Sequence, residues 1–280
     1  MTAGVRTAST SRYVEHVMGM PISLALRGRH TDDAAARGAW GEVMESLWQV
    51  DRVFSTYRAD SAVSRLGRGE IGLEECPPEV AEVLALGAAA ERESGGAFSI
   101  RLPGPDGGSV LDPSGVVKGW AVERAAAALR ALPDTVFCLS AGGDMTCRTL
   151  DPAAALDAAA APWRIGIEDP ADPRRIRAVV PVFTGAVATS GTAHRGQHLL
   201  DARTGHPPAG VASAPVVAAS LTWADIDATA AYAQGPEAAR WLETRPGRSG
   251  LVVWADGTLT AVEPVLPQAA WNERLARPSA

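Results

Sequence analysis

Residues 111–119 read LDPSGVVKG, a glycine-containing loop that leads into an amphipathic helix predicted over residues 118–132. Lys118 is the only lysine among the 26 basic residues of the 280-residue chain, and all the others are arginines. An ammonium group is a compact point charge and a guanidinium group is a flat fork, so the two do not substitute for each other at a tight site. The lone lysine therefore indicates a functional position, at a loop and helix start where a phosphate could bind.

Helices and strands are interspersed on both sides of this stretch. Further helices are predicted after Thr31 and Asp32, over a short turn at 61–66, and over 79–92, 223–234 and 236–243. Strands are predicted over 13–26 (interrupted at Gly19 and Pro21), 97–102, 136–139, 163–167, 176–183, 185–189, 216–221, 251–254 and 258–262. The mixture predicts an α+β fold with several antiparallel strand pairs, and the order of elements does not fit a TIM barrel.

The composition excludes several classes of protein. With 46% hydrophobic and 21% charged residues, the chain is neither disordered nor a coiled coil. A net charge of −6 argues against a nucleic-acid-binding face. No apolar run is long enough to span a membrane, and no signal peptide is recognised, so we expect a cytoplasmic protein. The three cysteines contain no CxxC pair, which argues against zinc and predicts reduced thiols.

Glycine and small polar residues concentrate in four segments. Small residues allow backbone N–H groups to approach a ligand closely. These segments are 111–119 (LDPSGVVKG), 140–144 (SAGGD), 188–192 (ATSGT) and 198–205 (HLLDARTG). The chain contains no GxxxxGK[ST] and no GxGxxG that opens a βαβ unit, so an ordinary P-loop and a Rossmann site are not supported. The S-x-x-x-K spacing of Ser114 and Lys118 is one residue longer than the S-x-x-K pattern, which leaves a serine acyl-enzyme as an alternative.

A fifth segment, TWADIDATA at residues 222–230, suggests a metal site. Asp225 and Thr229 are four residues apart, so both oxygens lie on one face of a helix. A carboxylate and a hydroxyl are hard ligands that suit Mg²⁺, whereas Asp227 points elsewhere. The alternative is that Asp225 only interacts favourably with the helix dipole. His198, near Asp201, is a candidate general base or a structural histidine.

These segments occur in the order in which the ApbE family of FAD:protein FMN transferases carries its motifs, and over residues 13–265 the chain resembles that family. The matches are M-G-T at 18–20, F-S-x-[YF] at 54–57, D-x-G-G-I-A-K-G at 112–119, G-G-[DEN] at 142–144, T-S-G at 189–191, H-I-[IL]-D-P-[RK]-T-G at 198–205 and A-D-A-L-[AS]-T-A at 224–230. The chain departs from the motifs at Met20, Ser99, Ser114, Val117 and Ala202. Ser99 replaces the acidic residue of an A-F-D stretch.

The resemblance implies a T-fold-like α+β architecture with mixed and antiparallel sheets, flanking helices and two lobes that enclose a flavin nucleotide cleft. It implies one domain over residues 13–265, with tails at 1–12 and 266–280. It also implies transfer of FMN from FAD to a Thr or Ser hydroxyl of an acceptor protein, with release of AMP. Two alternatives use the same site: an Mg²⁺-dependent FAD pyrophosphatase, and a flavin-binding protein without catalysis.

The resemblance assigns roles to particular residues. Mg²⁺ would be bound by Asp225, Thr229 and the backbone carbonyl of Gly115, and Lys118 would add a second positive charge. His198 would be the base that accepts the proton of the acceptor hydroxyl. The residues expected to hold the flavin nucleotide are Met18, Ala97, Phe98, Ser99, Lys118, Asp144, Thr189 and Ser190.

Overall fold

The computed structural model describes residues 10–104, 107–150, 161–192 and 199–263, and shows an α+β fold built on an eight-stranded antiparallel sheet. The strand order in this sheet is β1-β2-β5-β6-β9-β10-β11-β12. Its strands are β1 (Ser11–Val17), β2 (Met20–Gly28), β5 (Thr135–Ala141), β6 (Asp144–Arg148), β9 (Gly185–Gly191), β10 (Val211–Ala218), β11 (Ser249–Trp254) and β12 (Leu259–Val262). Two separate antiparallel pairs are β3 (Arg101–Pro103) with β4 (Ser109–Leu111), and β7 (Trp163–Asp169) with β8 (Asp172–Val182).

Helices contribute most of the main hydrophobic core, together with the alternate residues of β2 that are buried: Met20, Ile22, Leu24 and Leu26. The helices are α1 (Ala34–Phe54), α2 (Ala62–Gly67), α3 (Pro78–Glu93), α4 (Ser114–Ala125), α5 (Ala127–Arg130), α6 (Leu221–Ala233) and α7 (Ala238–Glu243). None of the helices in the described ranges is long and apolar enough to cross a bilayer. At the start of α1 the N-cap is Asp33 rather than Thr31 or Asp32, because the Asp33 carboxylate accepts a hydrogen bond from Ala36 N at 2.9 Å.

Helix α4 begins four residues before the predicted start at Lys118. The amides of Val116 and Val117 donate to Pro113 O at 2.9 and 3.0 Å, and both valine side chains are buried. The loop prediction is wrong here: glycine and serine are typical of turns, but the two valines bury against the core and the helix includes all four residues. Lys118 therefore lies inside a helix, about one turn from its first residue.

The β7–β8 hairpin was correctly predicted as two strands, but it does not join the main sheet. It packs on a second, smaller hydrophobic cluster, which contains Ile165 and Ile167 from β7 and Val187 from β9. Most of the predicted strand at 97–102 is irregular, and only its end enters β3. The hairpin and the helical layer together leave a space at the end of the central strands.

Candidate active site

A cavity of about 900 Å³ opens between the N-terminal half of α4, the turn that joins β5 to β6, the end of β9 and the hairpin strand β7. The residues of the sequence-predicted site that line it are Met18, Gly115, Lys118, Asp144, Thr189, Ser190, Asp225 and Thr229. These eight residues come from five segments that are distant in the sequence, and the fold brings them to one cavity. Its volume is in the range of small-molecule and cofactor sites.

Lys118 lies between two carboxylates at the centre of this group. Its Nζ is 2.5 Å from Asp144 Oδ2 and 3.2 Å from Asp225 Oδ1. The side chains of both aspartates are about 2% exposed, whereas that of Lys118 is 27% exposed. Two buried negative charges therefore share one ammonium group that still reaches the cavity.

Backbone amides fix the second oxygen of each aspartate. Gly119 N donates to Asp225 Oδ2 at 2.9 Å, and Thr189 N donates to Asp144 Oδ1 at 2.9 Å. Gly119 is required by the close contact of α4 and α6, because a Cβ at this position would lie 2.7 Å from Leu221 O. The carboxylates are thus held in place by the packing of the fold.

The unequal number of charges is reflected in the pKa values. Burial alone would lower the pKa of Lys118, but the charges of Asp225 and Asp144 outweigh it and raise that pKa above its usual range. Burial, reinforced by the charge of Asp144 and opposed by that of Lys118, raises the pKa of Asp225 to about 7. A second cation near Asp225 would relieve this excess of negative charge.

The three residues expected to bind Mg²⁺ lie where α4 meets α6. Thr229 Oγ1 is 3.0 Å from Ser190 Oγ. A Cβ on Gly115 would lie 3.8 Å from Thr229 Cγ2 and 2.9 Å from Phe98 Cε2, so only glycine fits here without displacing the ring. The described residues contain no group of three or more His, Cys, Asp or Glu side chains that could hold a metal. Any ion here would depend on hydroxyl, carbonyl and phosphate oxygens as well as a carboxylate.

Two tight turns present backbone at the cavity. Met18 and Gly19 join β1 to β2 with φ values of 56° and 71°, and Gly142 and Gly143 join β5 to β6 with φ values of 56° and 98°. Positive φ at both central residues defines a type I′ turn. Met18 is one of two non-glycine residues with positive φ in the described part of the chain, and such strain tends to occur at functional sites.

Ala97, Phe98 and Ser99 do not line the cavity. Ala97 and Phe98 are buried, and the Phe98 ring packs against Gly115. The Ser99 hydroxyl donates to Glu91 Oε2 at 3.3 Å. The structure therefore places this segment behind the α4 start, where it shapes the backbone of Gly115.

His198 lies outside the described residues, and its neighbour Leu199 lines the cavity. Asp201, which the sequence suggested as a neighbour of this histidine, is bound by Arg203. Its carboxylate accepts from Arg203 Nε at 2.8 Å and Nη2 at 2.9 Å. Burial of Asp201 would raise its pKa, but the hydrogen bonds and the charge of Arg203 outweigh burial and lower that pKa.

Sequence reasoning missed one wall of the cavity. Residues Ile165, Gly166, Ile167 and Glu168 of β7 all line it, although alternate side chains of a strand point to opposite faces. The edge of β7 that is not paired with β8 therefore faces the cavity. Tyr57 also lines the cavity and is 99% exposed, and the F-S-x-[YF] match at 54–57 was the sequence signal for it.

Within the described residues, neither Ser114 nor Ser190 has the hydrogen-bonded histidine or lysine base that a serine acyl-enzyme needs. The Ser114 hydroxyl donates to the Asp112 carboxylate, which also accepts from Ser114 N at 3.0 Å. Asp112 thus holds Ser114 in a local turn at the start of α4. The Ser190 hydroxyl is paired with that of Thr229.

Comparison with known protein families identifies the family of this chain. The ApbE family model matches residues 18–104 and 101–252, so the chain belongs to the ApbE family. No curated protein matches the chain.

Solved structures with the same fold include three proteins named ApbE. The ApbE protein of Thermotoga maritima is 21% identical, with a TM-score of 0.76 over 91% of this chain and 97% of that one. Pseudomonas stutzeri flavinyl transferase ApbE is 24% identical, with a TM-score of 0.75 over 97% and 98%. Vibrio cholerae flavin transferase ApbE is 21% identical, with a TM-score of 0.74 over 91% and 98%. At these identities the likeness is one of fold.

Proposed function

We propose that this protein transfers the FMN part of FAD to a Thr or Ser hydroxyl of an acceptor protein, with Mg²⁺ as cofactor and AMP as second product. Membership of the ApbE family and the names of the similar structures, flavin and flavinyl transferases, support this activity. The observation that carries the proposal is the cluster of Lys118, Asp144 and Asp225 in a cavity large enough for a dinucleotide.

The charges of this cluster favour metal-dependent chemistry. When both carboxylates are ionised, one ammonium facing them leaves a local charge of about −1, and a diphosphate would add further negative charge. A divalent cation beside Asp225 would reverse the sign of the local charge. The site therefore suits a diphosphate only when a cation accompanies it.

The residues present fit Mg²⁺ rather than a softer metal. Asp225, Thr229 and the Gly115 carbonyl offer only oxygen atoms, and Mg²⁺ commonly completes its shell with water and substrate phosphate. When bound there, Mg²⁺ would neutralise phosphate oxygens as the anhydride breaks. Lys118, whose ammonium group reaches the cavity, would donate hydrogen bonds to the same diphosphate.

The reaction is a displacement at phosphorus. The acceptor hydroxyl oxygen forms a bond to the FMN-side phosphorus, the bond from this phosphorus to the bridging oxygen breaks, and AMP leaves with that oxygen. The hydroxyl proton passes to a base, for which His198 remains the candidate on sequence grounds. Positioning and charge neutralisation supply most of the rate in such reactions, and a general base adds about 10²–10⁴-fold.

The test combines the protein with FAD, MgCl₂ and a flavin-acceptor domain, and measures the mass of the acceptor together with free FMN and AMP. We expect the acceptor to gain one FMN phosphoryl group and AMP to appear in equal amount. Asp225→Asn should lose both products. Asp60→Asn is the matched control, because Asp60 is exposed and does not line the cavity.

The outcomes separate the alternatives. Free FMN and AMP with an unmodified acceptor would identify a pyrophosphatase. Bound FAD that never yields AMP would identify a flavin-binding protein. Equal transfer by wild type and Asp225→Asn would contradict the proposed metal site.

A further inference from the structure

Two buried cysteines face each other on the side of the main sheet that the β7–β8 hairpin covers. Cys138 in β5 and Cys147 in β6 are directly opposed in the strand register. Both belong to the hydrophobic cluster beneath the hairpin, and neither lines the cavity. The proposed flavin chemistry uses neither thiol.

The turn between the two strands settles the geometry of this pair. In the type I′ turn at Gly142 and Gly143, Ala141 and Asp144 form the closing pair, which is hydrogen-bonded. Hydrogen-bonded and non-hydrogen-bonded pairs then alternate along the hairpin. Counting back from the turn places Cys138 and Cys147 in a non-hydrogen-bonded pair.

This type of pair is the one in which opposed side chains approach most closely. Its Cα atoms lie about 4.5 Å apart, which is within the range of about 4.4–6.8 Å found across disulfides. A bond between the two sulfurs therefore requires little movement of the strands. This disulfide would link β5 to β6, and the turn between these strands is the one that brings Gly142, Gly143 and the adjoining Asp144 to the cavity.

The environment makes one thiol more reactive than the other. Interaction with the Cys147 thiol lowers the pKa of Cys138, burial opposes this, and the Arg27 guanidinium lowers it further. The corresponding interaction and burial raise the pKa of Cys147. Cys138 is also the more exposed of the two, at 9% against 3%. Because the thiolate is the nucleophile, Cys138 is suited to react first and Cys147 second.

We propose that Cys138 and Cys147 form a thiol modification site, which small hydroperoxides convert reversibly into a disulfide. The Cys138 thiolate attacks the hydroperoxide, which is reduced to an alcohol or water and leaves Cys138 as a sulfenic acid. The Cys147 sulfur then displaces water and forms the sulfur–sulfur bond. Together two thiols and one hydroperoxide give a disulfide, an alcohol and water, and a thiol reductant restores both thiols. A small oxidant suits the limited exposure of the pair.

The experiment treats the folded protein with hydrogen peroxide, blocks the remaining thiols under denaturing conditions and maps the peptides by mass. We expect a linked peptide that joins residue 138 to residue 147, with loss of both free thiols and their recovery on reduction. Cys76, which is half-buried and whose pKa is raised by burial, serves as the internal reference and should remain a free thiol longer.

Two variants test the order of the steps. In Cys147→Ala the sulfenic acid of Cys138 should persist and be trapped by dimedone, whereas Cys138→Ala should leave Cys147 as a free thiol. Peptide mapping of the wild type tests the proposal even where a variant folds poorly. Separate oxidation of Cys138 and Cys147 without a linked peptide would overturn the proposal. It would also be overturned if Cys76 were oxidised while Cys138 and Cys147 remained free thiols.

Discussion

Two buried aspartates of α6 should respond in opposite ways to loss of charge. Asp225 shares one ammonium group with Asp144, whereas Asp227 faces two guanidinium groups, with Arg245 Nε at 3.1 Å and Arg248 Nε at 2.7 Å. Replacing Asp225 by Asn removes an excess negative charge, because Asp144 still neutralises Lys118. Replacing Asp227 by Asn leaves two largely buried positive charges. Among the described residues, Arg245 keeps a second carboxylate partner, Glu93, and Arg248 does not.

The magnitudes follow from this difference. Breaking a buried ion pair costs about 3–5 kcal/mol, which corresponds to roughly 10 °C in the melting temperature of a protein of this size. We therefore expect Asp227→Asn to melt about 10 °C below the wild type. Asp225→Asn exchanges a charged hydrogen bond for a neutral one, so we expect a change of about 1 kcal/mol without metal.

The assay is thermal unfolding, first with a chelator and then with excess Mg²⁺. A ligand at about 100 times its dissociation constant stabilises the folded state by about 2.7 kcal/mol. Wild type and Asp227→Asn should both gain this stability, whereas Asp225→Asn should not. Equal losses for the two variants in chelator, or an Mg²⁺ effect that persists in Asp225→Asn, would refute the charge argument.

Three further predictions concern the same contact between α4 and α6. Lys118→Arg keeps the charge but replaces a point donor by a flat fork, so we expect flavin transfer to fall by about 10²-fold while the melting temperature is retained. Gly119→Ala puts a Cβ 2.8 Å from Asp225 Cβ and should cost about 1–3 kcal/mol in urea unfolding, whereas Gly38→Ala, with open space around it, should stabilise α1 by about 0.5–1 kcal/mol. In chelator, the pKa of Asp225 is about 7 in the folded state, above its ordinary value of 3.8, so the folded protein holds this proton at a pH where the unfolded chain has lost it. The wild type should therefore lose stability relative to Asp225→Asn as the pH rises from about 4 to 7, and equal pH profiles of the two proteins would contradict this.

The sequence predicted most of the helices and strands, because their apolar periodicity and their turn residues agree. Helix α3 begins at Pro78, one residue before the predicted start, with a proline at its first position as helices favour. The short α2 begins after Ser61, whose hydroxyl accepts a hydrogen bond from Ser64 N. The assignment of the chain to the ApbE family was likewise confirmed. These features depend on local sequence, so they were accessible without the structure.

Features that depend on distant contacts were not predictable. The sequence indicated that Asp225 and Thr229 share a helix face, and the resemblance implied that Lys118 adds its charge at the same site. Neither indicated that the Lys118 ammonium pairs directly with both Asp144 and Asp225. The start of α4 was missed for the same reason, since burial of Val116 decides it. Periodicity predicted that β7 is a strand, but a strand pattern does not show which sheet the strand joins, so the separate β7–β8 pair was not predictable.

The separation of the β7–β8 hairpin from the main sheet has an evolutionary consequence. The wall formed by α4 and α6 contains glycines at which almost any added side chain would collide with a neighbour, so few substitutions are tolerated in this half of the cavity. Within the described part of the chain, the hairpin wall shares no strand ladder with the main sheet. A lineage could therefore remodel that side, and with it the choice of the molecule that enters, while the lysine cluster stays unchanged.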